Sequence, residues 1–205
     1  MEYDPKIHHR RSIRLKGYDY SADGAYFVTI CVNKMKCLLG NVTDKGMELN
    51  LAGEIAKKWW LELQCKFNGI KIGEYVIMPN HIHGIIIKNE IYVRADLCVC
   101  PGSSCVCPDS INGDKHACKG EHADRGEHTG SPLHEMVQWF KTMTTNEYMR
   151  RIKKNELPRF DRRFWHRNYY ERIIRDEMEW YYTEEYIINN PQNWCDDWEN
   201  PDDTL

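Results

Sequence analysis

Apolar positions recur with a period of two, or as short β-branched runs, in five segments of the chain, and this is the pattern of β-strands. The predicted strands are residues 25–32, 38–42, 47–51, 72–78 and 82–88. The second and third flank Asp44-Lys-Gly46, which predicts a hairpin, and Pro79-Asn80 predicts a turn between the last two.

Three other segments repeat their apolar residues every three or four positions, as one face of a helix does. They are residues 52–67, a segment that begins at Ser131-Pro132, and a segment from Asp176 to Asn190 that Pro191 ends. The order β-β-β-α-β-β-α-α predicts an α+β fold, in which one ferredoxin-like or RRM-like antiparallel sheet has its helices packed on one side.

Between residues 92 and 130 the periodicity disappears, and the stretch contains five cysteines, five glycines and three histidines. We interpret it as a variable insertion within a single domain of residues 1–205, most simply a flexible loop. The alternative is a zinc site, although Cys-x-Cys is not the usual two-residue knuckle spacing. Its candidate ligands are Cys98, Cys100, Cys105, Cys107 and Cys118, with His116 or His122.

The composition is typical of one globular domain: 41% of the 205 residues are hydrophobic, 29% are charged, and the formal net charge is −3. No run of eighteen apolar residues occurs, and the polar residues 1–14 lack the apolar core of a secretory signal. We therefore expect a cytoplasmic protein without a membrane partner, whose nine cysteines stay reduced.

The charge is distributed unevenly along the chain. Residues 141–175 contain eleven Lys/Arg against four acidic residues, a net charge of +7, whereas residues 176–205 contain ten acidic residues and no Lys or Arg. A basic block of this density can bind a polyanion, but it is also the composition of a solvated helix face. A second basic cluster, near the start, is either an arm for a nucleic-acid groove or a frayed terminus. It consists of Arg10, Arg11, Arg14 and Lys16.

The most informative motif is Asn80-His-Ile-His83, at the start of a predicted strand. Side chains at i and i+2 of a strand point to the same face, so His81 and His83 project side by side, and Ile82 and Ile85 are expected on the opposite face. Two neighbouring imidazoles can bind a divalent ion, or they can be hydrogen-bonded histidines at a sheet surface.

A second motif lies in the last predicted helix. Tyr186 and Asn190 are four residues apart, so a phenol and an amide oxygen can approach the same point, and Tyr182 extends this stripe by one turn. Aromatic residues at this spacing are more often part of a core than catalytic, so the spacing by itself leaves both interpretations open.

Taken together, the motifs resemble the single-tyrosine HUH transposases, and specifically the REP-associated tyrosine transposases. The resemblance covers most of the chain and rests on segments in the family's order. These are Arg10–Tyr18 with Gly24–Ile30, Met78-Pro-Asn-His-Ile-His-Gly84, Phe164–Arg175 and Tyr186-Ile-Ile-Asn-Asn-Pro191. The insertion at 92–130 departs from the family's pattern.

The resemblance implies an HUH endonuclease architecture and a metal-dependent endonuclease and strand transferase for single-stranded DNA with hairpins. Tyr186 would be the nucleophile and form a 5′-phosphotyrosine, while His81, His83 and the side-chain oxygen of Asn190 would hold Mg²⁺ or Mn²⁺. A cation suits this chemistry because the negative charge of a phosphodiester repels nucleophiles. Such a transposase would be associated with the nucleoid, as a monomer or a homodimer.

DNA contacts are expected from basic residues and from aromatic rings that can stack on unpaired bases. The candidates are Arg10, Arg11, Arg14, Lys141, Arg162, Arg163, Trp165 and Arg167, and the rings of Phe160, Phe164, Tyr169 and Tyr170. Phe164 and Tyr170 can instead pack a helix against the sheet. The rival functions are a non-catalytic nucleic-acid-binding domain on the same fold, in which His81, His83 and Tyr186 are structural, and a zinc-binding interaction protein that uses the insertion.

Overall fold

The computed structural model describes residues 23–44, 46–88, 132–197 and 200. The strands are β1 (Gly24–Cys31), β2 (Gly40–Thr43), β3 (Gly46–Leu49), β4 (Ile70–Ile77), β5 (His81–Lys88) and β6 (Tyr170–Ile174). The helices are α1 (Leu51–Leu61), α2 (Leu63–Lys66), α3 (Pro132–Lys153) and α4 (Glu177–Asn189), with 3₁₀ turns at Asn33–Met35 and Trp194–Asp196. The predicted insertion at 92–130 and the basic residues Arg10, Arg11, Arg14 and Lys16 lie outside the described residues.

Four strands form one antiparallel sheet in the order β4-β5-β1-β6, and β2 and β3 form a separate hairpin. The predicted α+β class with an antiparallel sheet is therefore confirmed. Strand β5, which begins with the histidine motif, is paired on both sides. In its pairing with β1, Thr29 lies opposite His83 and Cys31 lies opposite His81.

One face of the sheet is covered by α1 and α3. The inward side chains of β1 and β5 pack there against Trp60 of α1 and Phe140 of α3, whose ring centroids are 5.6 Å apart. Gly84 of β5 lies directly beneath Trp60, and a Cβ atom at this position would collide with the indole ring. The glycine of the histidine motif thus allows the strand and the tryptophan to approach closely.

The opposite face is covered by α4, so the helices lie on both sides of the sheet and not on one side, as the sequence predicted. Ile187 of α4 packs there against Phe27, Ile85 and Ile174. The expectation that Ile85 faces away from the histidines is wrong, because Ile85 is an even number of residues from His83 in an unbroken strand.

Two elements differ from the sequence-based expectation. Strand β6, which pairs with β1, was not predicted, because its sequence Tyr-Glu-Arg-Ile-Ile does not alternate: Glu171, Ile173 and Ile174 are all buried. The single helix predicted over residues 52–67 is two helices, α1 and α2, separated at Glu62. None of the described helices combines the length and hydrophobicity needed to cross a bilayer.

The start of α4 is where the sequence predicted it. The Asp176 carboxylate accepts a hydrogen bond from the Glu179 backbone N–H at 2.8 Å, and the Glu179 carboxylate accepts one from the Arg175 N–H at 2.9 Å. This reciprocal capping sets the first turn of the helix that carries Tyr186.

Candidate active site

The two histidines of β5 lie side by side on the face covered by α4. Their ring centroids are 4.4 Å apart, and the residues are 0% and 3% exposed. The period of two along β5 produces this pairing, as the sequence predicted.

Hydrogen bonds orient each imidazole. Asn80 donates through Nδ2 to the Met35 carbonyl at 3.1 Å, which directs its amide oxygen to His81 Nδ1 at 2.8 Å. An amide oxygen only accepts, so His81 Nδ1 carries a proton, and in the neutral ring the lone pair is then on Nε2. His83 Nδ1 lies 2.8 Å from Thr29 Oγ1, and when it donates there its Nε2 has the lone pair that a metal ion requires.

The surroundings of His83 favour its neutral form. Burial lowers its pKa well below the usual value of 6.5, and the neighbouring His81 lowers it further. A neutral imidazole is the form that coordinates a metal ion or accepts a hydrogen bond.

Tyr186 projects from α4 over this histidine pair. Its phenol oxygen is 3.2 Å from His83 Nε2, and its ring packs edge-on against His83 and Phe27 at centroid distances of 5.1 and 6.0 Å. The residue is still 44% exposed, so one side of the phenol faces the surroundings. His83 thus positions the phenol oxygen of a tyrosine that is itself partly exposed.

Two oxygen-bearing side chains, Asn190 and Asp197, follow the last turn of α4 and contact each other. Asn190 is 3% exposed, its Oδ1 accepts no hydrogen bond from the described residues, and its Nδ2 donates to Asp197 Oδ2 at 3.4 Å. One ligand atom each from His81, His83 and Asp197 lie within 4.8 Å of one another. Two imidazoles and a carboxylate form a donor set that fits a divalent cation, and the Asn190 amide lies beside the carboxylate.

A groove of about 700 Å³ opens beside Tyr186 and His83. Phe27 and Thr29 of β1 line it, and Arg172 of β6 contributes a guanidinium group. That group lies 5.8 Å from the Phe27 ring centre and donates to Thr183 Oγ1 at 2.9 Å. The groove thus combines an accessible phenol with a fixed positive charge.

A larger groove of about 1200 Å³ lies between α3 and residues 160–169, and we call it the basic groove. Arg162, Arg163 and Arg167, all predicted DNA contacts, line it and are exposed. The grooves share His166, Asn168 and Tyr169, so the two are adjacent.

Lys141, another predicted DNA contact, lines the basic groove from α3 but has structural partners. Its ammonium donates to the carbonyls of His166 and Asn168 at 3.0 and 3.1 Å, and its burial lowers the pKa to about 8. The lysine therefore holds the segment that separates the two grooves.

The aromatic residues of the basic block divide between the core and the surface. Trp165 is 5% exposed, its ring packs against Phe140 and Phe164, and its indole N–H donates to Thr144 at 2.7 Å. The predicted stacking of Trp165 on a base is therefore not supported by its position, and Phe164 packs in the core, one of its two predicted roles. Tyr170 is 48% exposed.

Three residues of this site were not predicted from the sequence. Thr29 lies 54 positions before its partner His83, and only strand pairing brings the two together. The sequence predicts Asn80 in a turn, although its place beside His81 is a usable signal. Asp197 is visible in the sequence only as part of an acidic tail.

Comparison with one solved structure supports the fold. The structure of a REP-associated tyrosine transposase bound to a REP hairpin is 13% identical, with a TM-score of 0.50, covering 88% of this chain and 74% of that chain. A crystal structure of a transposase-like protein from Deinococcus radiodurans R1 is 12% identical, with a TM-score of 0.43, covering 86% and 97%. The chain therefore has a fold similar to that of the hairpin-bound transposase.

No family model matches the chain. A relative from Haemophilus influenzae (strain ATCC 51907 / DSM 11121 / KW20 / Rd), described as an uncharacterized protein, is 39% identical over 196 residues, which is 96% of each chain. At this identity and coverage, the chain belongs to the same protein family as the Haemophilus influenzae protein.

Proposed function

We propose that this protein is a metal-dependent endonuclease and strand transferase that acts on single-stranded DNA through Tyr186. The observation that carries the proposal is the position of the Tyr186 phenol oxygen, 3.2 Å from His83 Nε2 and beside a converging set of metal-ligand atoms. A tyrosine that only fills the core is buried, whereas Tyr186 remains 44% exposed next to these metal-ligand atoms.

His81, His83 and the Asn190 oxygen would hold a divalent cation, Mg²⁺ or Mn²⁺. When bound, the cation would supply positive charge for the non-bridging oxygens of the scissile phosphate. Asn80 and Thr29 hold the imidazoles in fixed orientations, so the donor atoms need little rearrangement.

The chemistry assigned to Tyr186 is an in-line displacement at phosphorus. The phenol oxygen forms a bond to phosphorus, and the bond from phosphorus to the 3′-oxygen breaks. The phenol loses one proton and the departing 3′-oxygen gains one, so the step is balanced and leaves a 5′-phosphotyrosine and a free 3′-hydroxyl. A 3′-hydroxyl attack on the same phosphorus reverses the step and joins strands. Arg172, in the groove beside Tyr186, is placed to bind a neighbouring phosphate.

Two observations support DNA as the substrate. The exposed arginines of the basic groove can bind phosphates next to the Tyr186 groove. The solved structure with a TM-score of 0.50 is a REP-associated tyrosine transposase bound to a REP hairpin. We therefore propose single-stranded DNA that carries a hairpin.

The decisive experiment is a covalent-adduct assay with Tyr186→Phe. The wild-type protein, Mn²⁺ and a pool of 3′-labelled hairpin oligonucleotides with varied flanks should yield a labelled protein band on a denaturing gel. Tyr186→Phe should lose this band and retain DNA binding, because only the phenol oxygen is removed.

The matched control is Tyr182→Phe, one helical turn away on α4 and 58% exposed, which should keep the adduct. An adduct that persists in Tyr186→Phe would assign the nucleophile to another residue. A wild-type protein that binds the pool but forms no adduct would favour the non-catalytic binding domain.

A further inference from the structure

A buried carboxylate lies next to the two histidines, beyond the end of the tyrosine helix. Asp197 follows the 3₁₀ turn Trp194–Asp196 and is 8% exposed. The Trp194 ring lies against His81 at a centroid distance of 6.0 Å, and the Asp197 N–H donates to the Trp194 carbonyl at 3.3 Å. These contacts hold the turn, and with it the carboxylate, over the histidine pair.

The carboxylate is well placed to share a ligand with the histidines. One of its oxygens lies within 4.8 Å of a ring nitrogen of both His81 and His83, while Oδ2 is the acceptor for the Asn190 amide at 3.4 Å. Buried carboxylates are stable when they are paired or coordinate metal ions. The carboxylate brings a negative charge to the two imidazoles, and this charge attracts a divalent cation.

We propose that Asp197 is a direct ligand of the divalent cation at the histidine pair and that Asn190 holds its carboxylate in place. This inference rests on the proposed function and adds an anionic ligand to the proposed ligands His81, His83 and Asn190. Mg²⁺ prefers charged oxygen ligands over imidazoles, so a site of two histidines and an amide alone would select against it. Asp197 thus makes the site suitable for Mg²⁺ as well as Mn²⁺.

Metal binding without DNA tests the assignment directly. Mn²⁺ is titrated into the full-length protein and free Mn²⁺ is followed by electron paramagnetic resonance. Asp197→Asn, which keeps the side chain's shape and removes its charge, should weaken Mn²⁺ binding at least about tenfold. The dissociation constant of Mg²⁺, measured by its displacement of Mn²⁺, should rise by a larger factor than that of Mn²⁺.

The control is Asp44→Asn, the same change at an exposed turn position between β2 and β3, and it should bind Mn²⁺ as the wild type does. Circular-dichroism melting establishes that each variant is folded, and Asp197→Ser serves as a second variant. Wild-type affinity in a folded Asp197 variant would overturn the inference. Equal Mn²⁺ binding by wild type and His81→Ala would instead contradict the histidine site, and with it the proposed function.

Discussion

At the residue scale, the chemistry of this site depends on side chains that do not themselves react. His81 and His83 were predictable as a pair from their spacing, but their orientation comes from Asn80 and Thr29. When Nδ1 of each ring donates to its partner, Nε2 is the nitrogen with the lone pair, and a ligand that is already oriented loses less entropy on binding a metal ion. Thr29 is therefore a positioning residue.

We expect Thr29→Val to keep the fold and to weaken Mn²⁺ binding by about 10- to 100-fold, the usual effect of removing a partner of a metal ligand. Valine keeps the β-branched shape that suits β1, but it cannot accept the hydrogen bond from His83 Nδ1. The measurement is a Mn²⁺ titration with melting temperature as the check on folding. Thr142→Val, an exposed site on α3, is the control. Unchanged affinity in Thr29→Val would show that His83 does not need this contact.

At the element scale, α4 brings the nucleophile to the sheet. Its capping residues were visible in the sequence, so its start at Asp176 was predicted. The sequence did not predict that α4 packs on the sheet face opposite α1 and α3. The reason is that α4 buries few apolar side chains and leaves Tyr181, Tyr182 and Ile188 exposed. Strand β6, which provides Ile174 to this packing, has no clear alternation.

We expect Asp176→Ala to lower the free energy of unfolding by about 1 kcal/mol, because the Glu179 N–H loses its acceptor. Asp176→Asn keeps an acceptor oxygen and should lose only a small part of this stability. Urea denaturation followed by circular dichroism measures both. Equal losses in the two variants would assign the effect to the charge at the helix N-terminus rather than to the hydrogen bond.

At the scale of the whole molecule, the net charge of −3 conceals an uneven distribution of charge along the chain. The basic groove lies beside the Tyr186 groove, and Lys141 holds the shared segment through its hydrogen bonds to the His166 and Asn168 carbonyls. Phosphate contacts release counterions, so DNA affinity should fall steeply with salt although the overall pI is about 6.3.

We expect the double variant Arg163→Gln, Arg167→Gln to flatten the plot of log affinity against log salt by about 0.7 to 0.9 per charge removed. Fluorescence anisotropy with a labelled hairpin oligonucleotide, measured across a series of NaCl concentrations, gives this slope. The control is Lys66→Gln, Lys71→Gln, an equal charge change at exposed positions on α2 and β4. If both double variants changed the slope of log affinity against log salt equally, the DNA would bind outside the basic groove.

The sequence by itself determined the strands around the histidine motif, the start of α4 and the same-face pairing of His81 with His83, because local periodicity and capping specify these features. It also indicated Tyr186 and Asn190 as neighbours on one helix. Only the tertiary structure decided that α4 crosses the histidine face, that Thr29 orients His83, and that Asp197 approaches the pair. The physical reason is that strand pairing and the packing of α4 join residues far apart in the chain, and no local pattern records such contacts.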